Sequence, residues 1–235
     1  LDSNNLYWSE FLETVNGGNS PANDSFYAAT MARRMFIDWY HVPPVVRYGK
    51  PISSTVLIHL KENNSYWDPV SLTIRVGDGD GSSYPLSTLD IMGHEMAHGF
   101  TIQHSHIVSM DSQSGAIVES FSDITAQAVQ MYARGTNDWM IASENSKNSD
   151  PNAALRYLDN PTRDGRSIDN WSKYNDGLGA HLLGGIFNKA FYLLATTPGW
   201  DVRKAYNVWI QANRYYWLPL PTMTSFASAA CGVLS

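Results

Sequence analysis

The segment GHEMAHGF, residues 93–100, contains two histidines four positions apart, His94 and His98, with Glu95 next to the first. On a helix this spacing places both imidazoles on one face, one turn apart. Two neutral imidazoles in this arrangement can bind one zinc ion, and the adjacent carboxylate can reach a water molecule at that ion. The alternative is a solvated helix face or a pair of core histidines, because so short a pattern also arises by chance.

A catalytic zinc ion takes three protein ligands and leaves one position open for water. Glu119, in VESFSD, is the candidate third ligand, since it lies one connecting loop after the motif in a second long predicted helix. Asp123 follows one turn later on the same face, where its carboxylate can accept the second N–H of a ligand histidine. Glu119 alone would be interpreted as an exposed helix glutamate. The combined set of four residues is explained poorly by chance.

The composition limits the classes of function. The chain has 235 residues, 43% hydrophobic and 16% charged, enough for a buried core in one large domain or two lobes. The net charge of −6 argues against a nucleic-acid partner, and no apolar run approaches the roughly 20 residues that span a bilayer.

The single cysteine, Cys231, excludes an internal disulfide and any zinc site built on cysteine. LDSNNLYWSEF at the start lacks signal-peptide features, so we expect any export signal to have been removed or to lie outside this chain.

The elements that must position these residues change in type along the chain. Residues 21–40 have the apolar spacing of a helix, and residues 56–60 and 71–76 have the composition of strands. GDGDG at 77–81 predicts a turn, because its aspartates lack the spaced partners of an EF-hand calcium loop. The helices predicted after that turn cover 88–101, 115–132, 178–196 and 201–214. Strands early and helices late predict an α+β fold of two lobes with a cleft between them.

HEMAHGF followed by SGAIVESFSD resembles the thermolysin family of zinc metallopeptidases. The segments ALRYLDNPTRDGRSIDN, GAHLLGGIFNKAFYLLATTPGWDVRKAY and ANRYYW resemble its pseudolysin and vibriolysin branch of elastase-like enzymes. The resemblance implies a mixed strand and helix N-terminal lobe over 1–88, a zinc-site helix over 89–105 and a mainly helical C-terminal lobe over 106–235. It also leads us to expect that the start of the first lobe and the last helix of the second are missing.

The resemblance assigns a role to each residue of the motif. His94, His98 and Glu119 correspond to the zinc ligands. Glu95 corresponds to the general base that takes a proton from the attacking water. Asp123 corresponds to the carboxylate that orients His94.

The resemblance also implies residues that contact the substrate. His181 corresponds to a histidine that donates to the developing oxyanion, and Asp176 to the carboxylate that holds that imidazole. Arg156 corresponds to an arginine that binds the substrate carbonyl beyond the cleaved bond. Asn64 and Ser65 correspond to an edge strand that pairs with the substrate backbone. The apolar specificity pocket is expected to be lined by Leu86, Ile91, Ile141 and Leu155. Without the resemblance, these residues would be interpreted as structural, surface or core residues.

Two features depart from the family pattern. The family has a tyrosine between the zinc helix and the following glutamate helix as a second oxyanion donor, whereas the candidate positions here are Ser109 and Met110. Methionine has no hydrogen to donate, and the serine side chain is shorter than tyrosine.

The second departure concerns a calcium site, for which the corresponding residues are Asp90, Asp138, Gln127 and Gln130. Two glutamines in place of glutamates remove two charges, so we expect calcium to bind weakly or not at all.

The sequence therefore predicts a zinc endopeptidase that is secreted to the extracellular medium, made by a bacterium as a precursor and monomeric. We expect it to cleave on the N-terminal side of hydrophobic residues in peptides and proteins, with no nucleic-acid or membrane partner. One alternative is a degenerate family member that binds zinc and peptides with little turnover, which the change at Ser109 and Met110 favours. A second alternative, an adhesion or carbohydrate-binding module, leaves the histidine and glutamate set unexplained.

Overall fold

The computed structural model describes residues 20–52, 55–108, 112–217 and 225–234. The first part contains one helix, α1 (Pro21–Tyr40), and the strands β1 (Val46–Arg47), β2 (Lys50–Pro51), β3 (Thr55–Leu60), β4 (Ser65–Asp68) and β5 (Thr73–Gly77). Two long helices follow, α2 (Leu89–His104) and α3 (Ser112–Arg134). The remaining elements are β6 (Met140–Ile141), β7 (Arg156–Tyr157), α4 (Ala180–Leu183), α5 (Gly185–Ala195), α6 (Val202–Gln211) and α7 (Phe226–Leu234). The element order agrees with the predicted sequence of strands and then helices, whereas the proposed division at residues 88 and 105 stays a prediction.

Helix α1 has the predicted bounds because both of its ends are capped. Ser20 precedes it in extended conformation, and its hydroxyl accepts the backbone N–H of Asn23 at 3.2 Å. Pro21 occupies the first turn, where a missing N–H has no consequence. His41 ends the helix in the left-handed region, with a φ of 55°. The buried face of α1 then packs on α2, where Phe36 stacks on Phe100 with ring centroids 4.8 Å apart.

The three-stranded sheet has the order β3-β5-β4, with β3 parallel and β4 antiparallel to the central β5. Among the described residues β4 pairs with β5 alone, so its outer edge has no strand partner, and Ser65 at its start lines a cavity. Trp67 of β4 is buried against α2, and a Cβ atom on Gly99 would lie 2.8 Å from the Trp67 ring. Glycine after His98 therefore allows the strand edge and the motif helix to approach closely.

Helices α2 and α3 form the centre of the molecule. Every residue of α2 from Leu89 to Thr101 is buried, which is unusual for a helix that carries charged groups. A Cβ atom on Gly93 would lie 3.0 Å from Val129 of α3, so this glycine lets the two helices pack closely. No helix in the described ranges is long and apolar enough to cross a membrane.

Two predicted helices differ from the structure. The helix predicted over 178–196 is divided into α4 and α5 at Gly184 and Gly185. A Cβ atom on Gly185 would lie 2.3 Å from the carbonyl oxygen of Ile168, so the backbone approaches a neighbouring segment that the sequence pattern does not reveal. The helix predicted over 201–214 is α6, which ends at Gln211 and continues as a π-helical turn, Ala212–Tyr216.

Candidate active site

Five candidate residues of the motif and the following helix lie together inside the molecule. Helix α2 presents His94, Glu95 and His98 toward α3, which contributes Glu119 and Asp123. The exposed fraction of the whole residue is 1% for each of the two acidic residues of α3 and rises to 9% for His98. Because buried ionisable groups are costly without partners, a cluster of this kind indicates a functional centre.

The distances fit a shared metal ion. His94 Nε2 lies 3.2 Å from His98 Nε2 and 3.2 Å from Glu119 Oε2, and His98 Nε2 lies 3.8 Å from Glu119 Oε1. Ligand atoms bound to one tetrahedral zinc ion at about 2.0–2.1 Å are separated by about 3.3 Å. Glu119 Oε2 is buried and has no partner with hydrogen-bond geometry, although imidazole nitrogens surround it. The spacing of the three side chains therefore suits binding to one divalent ion better than hydrogen bonding among themselves.

His181 is a further nitrogen near this point. It lies in α4 at the rim of the cleft, its Nε2 is 3.0 Å from Glu119 Oε2, and its side chain is 54% exposed. One ligand atom each from His94, Glu119 and His181 lies within 4.8 Å of the others, so this group is also a candidate metal site. Burial favours His98 as the second imidazole ligand, whereas His181 lies at the solvent-exposed edge of the cluster.

The protonation states of His98 and Glu119 agree with metal binding. Burial would lower the pKa of His94, but hydrogen bonds with Asp123 and Glu119 outweigh it and raise the pKa to about 10, so a metal ion at Nε2 would displace a proton. Burial lowers the pKa of His98 to about 4, so this imidazole is neutral and has a lone pair for a metal. Burial alone would raise the pKa of Glu119, but the three nearby imidazoles outweigh it and hold the pKa well below its usual range. Burial raises the pKa of Glu95 to about 8, with His94 acting in the opposite direction. Glu95 is therefore placed in the range suited to a general base near neutral pH.

Asp123 lies behind the candidate ligands. Its Oδ1 is 2.9 Å from His94 Nδ1, which leaves Nε2 of the same ring to face the ion. Arg156 donates to both oxygens, from Nε at 2.8 Å and from Nη2 at 2.7 Å. Burial would raise the pKa of Asp123, but Arg156 and His94 outweigh it and keep the carboxylate ionised. The sequence pattern does not reveal this bidentate ion pair, because its partners lie 33 positions apart in different elements.

A cavity of about 700 Å³ opens in front of His94 and Glu95. Its walls contain the predicted substrate-binding residues Asn64, Ser65, Leu86, Ile91, Leu155, Arg156 and His181. Ile141 is not among the residues that line this cavity, because its side chain is completely buried in the core, and Ala142 lines the wall instead. The cavity thus combines a strand edge, apolar side chains and the candidate metal ligands.

The predicted role of Asp176 has less direct support. Asp176 accepts a hydrogen bond from the Tyr174 hydroxyl at 2.5 Å, whereas the contact of His181 is with Glu119. The predicted role of Asp176 in holding His181 therefore stays a prediction. Ser109 and Met110, the positions in place of the family tyrosine, lie outside the described residues.

The predicted calcium ligands already form hydrogen bonds with other protein groups. Gln127 Oε1 accepts the backbone N–H of Trp139 at 2.8 Å, and its Nε2 donates to the Met140 carbonyl at 2.8 Å. Gln130 Oε1 accepts the backbone N–H of Asp138 at 3.4 Å. Asp138 in turn accepts the Met140 backbone N–H at 3.0 Å. Calcium takes six to eight oxygen ligands, and oxygens that already accept hydrogen bonds have less capacity left for the ion.

Asp90 is engaged in the same way. Its Oδ1 lies 2.5 Å from the Thr88 hydroxyl, and its Oδ2 accepts the backbone N–H of Ala142 at 2.6 Å. Burial raises the pKa of Asp90, which further weakens it as a ligand. Hydrogen bonds from protein groups therefore connect α2 and α3 to the 137–142 loop.

Millimolar calcium is expected to raise the melting temperature of the zinc-loaded protein by less than about 1 °C. The reason is that the two glutamines are uncharged and that each predicted ligand oxygen already accepts a hydrogen bond from the protein. The measurement is thermal unfolding with and without calcium. The double variant Gln127→Glu/Gln130→Glu should gain a calcium-dependent rise of several degrees, about 4 °C or more. Gln211→Glu on α6 is the matched control, and a rise of that size in the unchanged protein would contradict the prediction.

The chain is similar to known metallopeptidases. Residues 2–102 match the family described as thermolysin metallopeptidase, catalytic domain, and residues 108–235 match thermolysin metallopeptidase, alpha-helical domain. The zinc metalloproteinase MspA of Legionella longbeachae is 44% identical over 223 residues, which cover 94% of this chain and 41% of that protein. The neutral protease of Vibrio proteolyticus is 40% identical over 224 residues, which cover 94% of this chain and 34% of that protein.

The fold has a solved counterpart. The precursor of protealysin, a metalloproteinase from Serratia proteamaculans, superposes with a TM-score of 0.78 at 24% identity and covers 91% of this chain and 71% of that one. This likeness confirms the predicted two-lobed α+β fold. The chain spans less than half the length of the two curated relatives named above. The two family matches together cover nearly all of its residues, and the chain therefore belongs to the thermolysin family of metallopeptidases, on its vibriolysin-like branch.

Proposed function

We propose that the protein is a secreted zinc endopeptidase that hydrolyses peptide bonds on the N-terminal side of hydrophobic residues. The observation that carries this proposal is the convergence of His94, His98 and Glu119 within 3.2–3.8 Å of one another, with Glu95 beside them at the cavity. Family membership supports the same reaction class. Similarity to bacterial metalloproteinases supports the extracellular location, and we expect a monomer.

His94, His98 and Glu119 would hold the zinc ion, which supplies Lewis-acid polarisation of the scissile carbonyl and makes water more acidic. Glu95 takes a proton from the attacking water and passes it to the leaving amine. His181, exposed at the rim, donates to the oxyanion that develops on the substrate. Asp123 holds the His94 ring by its Nδ1–H during these steps.

Substrate binding follows from the walls of the cavity. The outer edge of β4, which begins at Ser65, offers backbone groups to which an extended peptide can add as a further strand. Leu86, Ile91 and Leu155 supply apolar surface for one substrate side chain. Two nitrogens of Arg156 bind Asp123, so its remaining nitrogen, Nη1, is available for a substrate carbonyl.

The proposal is tested with peptides that differ only in the residue after the scissile bond. We expect kcat/KM to be about 10–200-fold higher for Leu or Phe than for Gly or Asp at that position, because only the larger apolar side chains fill the pocket. Mass spectrometry of the products identifies the cleaved bond.

Metal dependence is tested on the same peptides. A zinc chelator should abolish cleavage, and added zinc should restore it. Cleavage that survives the chelator would contradict the zinc mechanism. A folded, zinc-loaded protein without turnover would favour the degenerate alternative.

A further inference from the structure

Asn188 of α5 connects two residues of α3 through its side-chain amide. The Ser120 hydroxyl donates to Asn188 Oδ1 at 2.7 Å, and Asn188 Nδ2 donates to Asp123 Oδ2 at 3.0 Å. All three residues are 1% exposed. A carboxylate only accepts, so the NH₂ end of the amide must face Asp123, and the hydroxyl proton of Ser120 then goes to the amide oxygen. The orientation of Asn188 is therefore fixed by its neighbours.

Asn188 completes the hydrogen bonds of Asp123. Oδ1 accepts from His94 Nδ1 and Arg156 Nη2, and Oδ2 accepts from Arg156 Nε and Asn188 Nδ2. Four donors fill the capacity of a carboxylate. Because Arg156 lies in β7 and Asn188 in α5, the carboxylate is held by two separate elements. Rotation of its plane would break bonds to both elements at once.

We infer that Asn188 is a positioning residue that acts through Asp123 to fix the ring of His94, and with it the direction of Nε2 toward the metal. The inference rests on the proposed zinc site. The chemistry of the amide suits this role, since it donates a hydrogen bond without adding charge. A cation in its place would compete with His94 for the carboxylate, and a carboxylate would repel it.

A purely structural role for Asn188 predicts a different result. Asn188 joins α5 to α3, so its loss would weaken packing and lower stability whatever its effect on the metal. In that case, a folded variant would keep the zinc affinity of the unchanged protein. Zinc affinity and the geometry of the bound metal therefore distinguish the two roles.

The experiment compares Asn188→Ala and Ser120→Ala with Ser122→Ala. Ser122 is the matched control, because it is a buried serine of the same helix whose hydroxyl has no hydrogen-bond partner among the described residues. Zinc affinity is measured on the folded proteins by competition with a chromophoric chelator, and metal geometry by the visible spectrum of the cobalt-substituted proteins. Asn188→Ala should weaken zinc binding about tenfold or more and shift the cobalt bands. Ser120→Ala should change both in the same direction by less, and Ser122→Ala should change neither.

Wild-type zinc affinity and an unchanged cobalt spectrum in folded Asn188→Ala would overturn the inference. Should that variant fail to fold, Ser120→Ala decides, and unchanged values there would overturn it equally. An unchanged protein that binds zinc without cleaving peptides would contradict the proposed function but leave the affinity comparison valid. An unchanged protein that binds no zinc would overturn both.

Discussion

Replacing Glu95 with glutamine is expected to lower kcat about 10²–10⁴-fold while zinc stays bound. Glutamine has nearly the shape of glutamate but cannot accept a proton at neutral pH, so it removes the base without opening a cavity. The three candidate ligands are other residues, and the metal content should therefore remain close to one zinc ion per chain. The measurements are steady-state kinetics with a peptide that has Leu after the scissile bond, and elemental analysis for zinc.

Glu62→Gln makes the same chemical change at an exposed position between β3 and β4, and it should leave kcat unchanged. Near-wild-type turnover in Glu95→Gln would rule out Glu95 as the base. Loss of zinc together with activity would instead indicate that Glu95 holds the metal. Retained zinc with lost turnover is the result that the proposed mechanism requires.

The variants His98→Ala and His181→Ala are expected to lose activity for different reasons. His98→Ala should release zinc, because it removes a ligand. The loss of zinc affinity should exceed the roughly 10–100-fold loss that follows when only a hydrogen bond to a ligand is removed. His181→Ala should keep zinc and lower kcat about 10²–10³-fold, because it removes a donor to the oxyanion. The physical reason is position: the side chain of His98 is 11% exposed beside His94, whereas that of His181 is 54% exposed at the rim.

This pair of variants also separates the two candidate ligand sets. If zinc is held by His94, Glu119 and His181, the pattern reverses, and His181→Ala loses the metal while His98→Ala keeps it. Zinc affinity is measured by chelator competition, and kcat on the zinc-saturated proteins. His106→Ala, at an exposed histidine just after α2, is the control and should change neither quantity.

Much of the candidate site could be predicted from local patterns. The spacing of His94 and His98 specifies one helix face, and a helix fixes the relative positions of residues four apart whatever surrounds it. Glu119 and Asp123 follow the same rule on α3, and the structure brings both pairs together. The bounds of α1 and the change from strands to helices are predictable for the same reason, since apolar periodicity is a local property of the chain.

Other features required contacts between residues that are distant in the sequence. Ile141 has the apolar character expected of a pocket residue, and only the packing of the core shows that Ala142 lines the cavity instead. Gln127 and Gln130 indicated a weakened calcium site, and the structure adds that backbone groups of the 138–140 segment occupy their amide groups.

The amino-acid pattern alone specifies which residues have the chemistry for a metal site and how they are spaced along two helices. The partners that orient these residues follow from the packing of separate elements, because Arg156 and Asn188 reach Asp123 from elements 33 and 65 positions away. Periodicity carries information over one or two turns of a helix, whereas a buried hydrogen-bond network depends on how separate elements pack.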